Sequence, residues 1–98
     1  MRFLYMLRAT RLAMLTDGPT PEEEAVVARH FQHLQRLAED GTVLHVGRTA
    51  NDDEHTMGLV IFEAPDEDAA SAIAAADPAV AAGVMTAAVF PYRQVFPD

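Results

Sequence analysis

Cysteine and lysine are both missing from the chain, and each absence closes off chemistry. Without cysteine there is no disulfide, no thiolate nucleophile and no zinc–sulfur centre, and a reducing cytoplasm is the expected setting. All seven basic residues are arginine, so a Schiff-base lysine is excluded. Positive charge is scarce as well. A net charge of −8 argues against nucleic acid and against an anionic membrane surface as partners. No apolar run approaches the roughly 20 residues needed to span a bilayer. The opening "MRFLYMLRAT" is too short for a signal peptide and lacks the small-residue cleavage pattern, so a soluble cytoplasmic protein is expected. There is no glycine-rich phosphate loop; the single glycines Gly47 and Gly58 flank a hairpin.

What is present suits one small domain spanning residues 1–98, half of it hydrophobic. "FLYML" (3–7) is apolar at consecutive positions, as a strand buried on both faces should be. "TDGPTPEEE" breaks that pattern. Thr20-Pro21-Glu22-Glu23 reads as a capping box with proline at the first helical position. A helix of about twenty residues follows, with Gly41 placed to end it. "TVLHVG" (42–47) has strand composition, "RTANDDEHT" (48–56) is a polar connection, and "GLVIFEA" (58–64) is a second doubly apolar strand. Asp66 caps an alanine-rich helix that must stop near Pro78, with a further turn closed by Gly83. A last strand at about 84–96 contains Pro91, which belongs at a sheet edge or a bulge.

The order β-α-β-β-α-β is the split βαβ of the ferredoxin-like α+β class, an antiparallel sheet with two helices on one face. Its first and third strands are central, and those are the two runs apolar on both faces. Two helices cover only one face of such a sheet. A second copy of the chain, packed sheet to sheet, is the expected cover for the other.

Two residues stand out as candidates for chemistry. With Leu34 at zero and about 100° per residue, Val27 lies at roughly +20°, Phe31 at roughly +60°, Ala38 at roughly +40° and Leu37 at roughly −60°. His30 falls at roughly −40°, inside this apolar stripe, and His33 at roughly −100°, on its margin. A histidine there is either a core residue bonded to a backbone carbonyl or a functional group. The spacing of three also allows a shared metal, but no third ligand suggests itself, and neither metal nor cofactor is expected. Asp77 follows an alanine helix, where the macrodipole disfavours a carboxylate. It reads as an N-cap ahead of Pro78, as a functional carboxylate, or as both. His45 and His55 carry no comparable argument. Arg8, Arg11 and Arg48 lie near strand ends, where surface charge is the plain reading and binding of a substrate carboxylate the alternative.

The segments "HFQHLQRLAEDGTVLHVG", "MGLVIFEA", "AADPAVAAGV" and "VFPYRQVF" together resemble the YCII-related (YciI-like) family over nearly the entire chain. The resemblance implies a dimeric ferredoxin-like fold of the α/β-barrel type, related to muconolactone isomerase. It also implies a histidine–aspartate dyad, which by position is His30 with Asp77. One family member removes chloride from a chlorinated hydroxyquinol. Two positions depart from the family pattern. Ala79 stands where an aromatic side chain is frequent, and Arg48 where proline is. A smaller wall and an added cation point toward a bulkier or anionic ligand.

Asp77, bonded to one ring nitrogen of His30, would fix its tautomer and leave the other nitrogen as general acid or base. The expected activity is cofactor-free proton transfer on a small, cyclic or aromatic molecule: isomerisation, elimination or a lyase reaction. The rivals are a non-catalytic module that binds a small ligand, and a purely structural buried pair.

Overall fold

The computed structural model describes residues 1–97. Its elements run β1 (Arg2–Ala9), α1 (Ala13–Thr16), α2 (Pro21–Glu39), β2 (Val43–Arg48), β3 (Gly58–Glu63), α3 (Glu67–Ala75), α4 (Pro78–Ala81) and β4 (Met85–Pro91). The four strands form one antiparallel sheet in the order β2-β3-β1-β4, so the first and third strands are central as expected. The register separates two faces. Phe3 pairs with Phe62 and Tyr5 with Val60 on the face beneath the helices. Leu4 pairs with Ile61 and Met6 with Leu59 on the opposite face. The middles of the central strands, Phe3 to Leu7 and Leu59 to Phe62, are apolar at consecutive positions because both of their faces carry apolar side chains.

The core lies between the sheet and the helices. Phe3, Tyr5, Val60 and Phe62 are fully buried there, joined by Leu34 of α2 and by Ala70 and Ala74 of α3. The Tyr5 and Phe62 rings meet edge to face at 5.4 Å, an arrangement worth about 0.5–1.5 kcal/mol beyond burial. The alanines let α3 approach the sheet closely.

Helix α2 begins as read. Thr20 Oγ1 accepts from the Glu23 amide at 3.2 Å, and the Glu23 carboxylate accepts from the Thr20 amide at 2.8 Å. Arg11 holds the same carboxylate through Nε at 3.0 Å. Gly41, at φ +87°, ends the helix in the left-handed conformation that glycine tolerates. The buried stripe differs from the expected one. It consists of Val26, His30 and Leu34, whereas Phe31 is 55% exposed and Ala38 is exposed. The helix is thus turned toward the His30 side, and His30 sits at the middle of the buried face.

Two local features differ from the sequence reading. Strand β4 stops at Pro91 instead of continuing to residue 96, because its neighbour β1 begins at Arg2 and offers no further partner. The last bond across this edge runs from the Tyr92 amide to the Arg2 carbonyl at 3.0 Å. The short helix α1, which buries Met14, was not expected. No helix of the described residues is long and apolar enough to cross a membrane.

Candidate active site

Helix α2 packs across α4, and this crossing brings together residues 47 positions apart in the chain. His30 Nδ1 lies 2.7 Å from Asp77 Oδ1. Both side chains are buried, Asp77 completely. The same Oδ1 accepts the Ala79 amide at 2.9 Å, so Asp77 is also the N-cap of α4. One carboxylate is thus both the cap of α4 and the partner of His30.

A third residue completes the arrangement. Tyr5 Oη donates to Asp77 Oδ2 at 2.7 Å. Sequence reasoning treated Tyr5 only as a core strand residue. The signal was available: alternation places Tyr5 on the inward face with Phe3 and Leu7, and a buried phenol needs a hydrogen-bond partner.

The electrostatics follow from these contacts. Burial raises the Asp77 carboxyl, but the hydrogen bonds from His30, Tyr5 and the Ala79 amide outweigh it and hold the group below its ordinary value. Asp77 is therefore an ionised acceptor. The Tyr5 hydroxyl is pushed far up, first by burial and then by its bond to Asp77, and it stays a donor. An ionised carboxylate accepts only, so Nδ1 carries the proton that faces it, an assignment that rests on the bonding network. In neutral His30 the lone pair is then on Nε2, which makes no hydrogen bond among the described residues.

His30 borders a cavity of about 260 Å³. Its walls include Leu7, Phe31, Val46, Arg48 and Val60. Phe31 is thus a wall residue whose ring lies 5.0 Å from the imidazole, which accounts for its exposure. The cavity is mostly apolar, with His30 and Arg48 as its polar side chains. Ala79 is fully buried and does not border it, so the smaller wall expected from that position does not arise here. Arg48 does border it.

The remaining candidates lie elsewhere. Arg11 is engaged by Glu23, and Arg8, next to Leu7 in β1, falls on the face away from the helices. His45 pairs with Ile61 on that same face. His55 is exposed in the 48–56 connection beside Glu54. His33 is half-buried, its Nε2 enclosed without a hydrogen-bond partner. Among the described residues no group of three His, Asp or Glu side chains is placed to hold a metal.

Comparison with known proteins agrees with this fold. No curated protein matches the sequence. A solved structure of 5-chloro-2-hydroxyhydroquinone dehydrochlorinase (TftG) from Burkholderia phenoliruptrix AC1100, in complex with 2,5-dihydroxybenzoquinone, superposes with a TM-score of 0.68. The match covers 96% of this chain and 95% of that one at 23% identity, a likeness of fold. The YCII-related domain model matches residues 1–93, and the chain accordingly belongs to the YCII-related family.

Proposed function

We propose that the protein is a cofactor-free enzyme that moves a proton on a small ring compound, with His30 as acid–base group and Asp77 as the residue that orients it. One observation carries the reading: a buried imidazole has one nitrogen committed to an ionised carboxylate at 2.7 Å and borders an apolar cavity of about 260 Å³. Asp77 holds the imidazole in the tautomer whose Nε2 can accept a proton. Tyr5 and the Ala79 amide keep Asp77 ionised and fixed. The protonated imidazole then returns the proton to another atom of the ring in an isomerisation. In an elimination it retains the proton while a leaving group such as chloride departs with the bonding pair. The fold shared with a dehydrochlorinase supports the elimination arm.

A cavity beside His30 speaks against a purely structural pair, which needs none. The binding-module reading differs only in outcome: the ligand is recovered unaltered. The test is incubation with chlorinated hydroxyquinols and cyclic enols, following ring absorbance and free chloride. Turnover should fall by about 10²–10⁴-fold in His30→Ala. Turnover untouched by that change would sink the reading, and stoichiometric binding without turnover would favour the binding module. We place the working form in the cytoplasm, in keeping with the lack of cysteine, as a homodimer joined through the uncovered sheet face.

A further inference from the structure

Arg48 ends β2 on the inward face, opposite Gly58, where the strand meets the 48–56 connection. Its guanidinium is fixed from one side. Nε donates to the Thr49 carbonyl at 2.9 Å, and Nη2 donates to the Asn51 carbonyl at 3.0 Å and to Asp52 Oδ1 at 2.6 Å. Among the described residues Nη1 makes no hydrogen bond. The side chain is half exposed and borders two cavities at once. One is the chamber of about 260 Å³ beside His30; the other is an outer chamber of about 470 Å³. Phe31 and Arg48 border both. The outer chamber is walled by Met14, Leu15, Val27 and Met85, with Glu24 as its acidic member.

This arrangement assigns a chemistry to each part. A planar ring fits the inner chamber, where Phe31 and Val46 offer apolar contact. An apolar arm fits the outer chamber, where Glu24 disfavours negative charge. Among the described residues lining the two chambers Arg48 is the one arginine, and its Nη1 donors are unused; a preorganised guanidinium is suited to an oxyanion. We infer that Arg48 is the specificity-determining residue of the site, selecting ring compounds that carry an anionic oxygen group and an apolar substituent. Asp52 is its counter-charge in the free protein and competes with the ligand. The inference rests on the proposed reading of the His30 chamber as the substrate site and names its substrate class.

The probes are 4-butylbenzoate, its neutral amide 4-butylbenzamide, and unsubstituted benzoate. Binding to the full chain is measured by calorimetry, and the His30 imidazole is followed by NMR. Butylbenzoate should bind about tenfold tighter than the amide and shift the His30 resonances. Arg48→Gln should erase that preference, while Asp52→Asn should strengthen acid binding by removing the competitor. Benzoate should bind about tenfold or more weakly than butylbenzoate, having no arm for the outer chamber. Circular dichroism of each variant checks that it folds, and Asp52→Asn tests the idea even where Arg48→Gln does not. A ligand that shifts His30 yet binds alike as acid and amide overturns the role of Arg48 and leaves the His30 site standing. No binding, or binding that leaves His30 undisturbed, overturns both.

Discussion

Asp77 Oδ1 receives the Ala79 amide, which starts α4, and His30 Nδ1, which belongs to α2, so a single oxygen ties a helix cap to the imidazole. Removing His30 leaves that buried carboxylate short of a partner. His30→Ala should therefore cost stability as well as turnover, by about 3–5 kcal/mol in denaturant unfolding. The pH dependence has a definite sign. The Asp77 carboxyl in the folded protein lies below its unfolded value, so its contribution is present above about pH 4. As pH falls the unfolded chain takes the proton first, and the stabilisation disappears as pH passes down through the folded value. Urea unfolding should show a shallower acid loss in Asp77→Asn than in the native chain; equal slopes would mean that Asp77 is not the group concerned. Tyr5→Phe removes one donor from the same carboxylate and should cost about 1–3 kcal/mol without disturbing the cavity. How legible was this site? Helical periodicity found His30, and the Asp-Pro pair marked Asp77. Tyr5 was missed because its partner lies 72 residues away, and the pairing depends on a helix crossing that no local pattern encodes.

At the scale of elements, α2 carries both His30 and Phe31, so the site depends on how that helix starts. Its first turn is held twice over. The Thr20 hydroxyl caps the Glu23 amide, and Arg11 together with Thr20 holds the Glu23 carboxyl down at about 2 despite an opposing effect of burial. Thr20→Ala should lower stability by about 1 kcal/mol in thermal unfolding while leaving the His30 imidazole resonances in place. A displaced imidazole signal would mean that the cap also sets the position of the site. The capping box, the glycine that ends α2 and the Asp66 cap of α3 were all legible, because each is a local agreement between side chain and backbone. The end of β4 was not. It depends on where β1 begins, a fact of pairing and not of composition. Helix α1 was missed because four residues are too few to show a period. The rotation of α2 escaped for a different reason. Phe31 looks like core on a helical wheel, and only the presence of a cavity makes an exposed phenylalanine at the edge of the stripe intelligible.

For the whole molecule, the face of the sheet away from the helices is the feature that composition and fold leave unfinished. The register sets Leu4 beside Ile61 and Phe90, and Met6 beside Leu59 and Ala88. These side chains form one apolar surface, and Phe90 within it is 47% exposed. A chain of 98 residues has a small core and gains from covering such a surface. A net charge of −8 makes two copies repel at long range, so association has to come from apolar burial at this face, and added salt should strengthen it. Arg2 and Glu63, paired with each other at 3.2 Å on the same face, fit the polar rim of an interface. Sedimentation at micromolar concentrations should show a dimer, and the thermal midpoint should rise with protein concentration. Ile61→Glu sets a carboxylate in the middle of the face on each copy, where burial without a partner is costly. It should give a monomer whose circular dichroism is unchanged and whose His30–Asp77 pair, on the other side of the sheet, is intact. A native chain that sediments as a monomer, with a midpoint independent of concentration, would remove the sheet-to-sheet dimer and leave that face to some other cover.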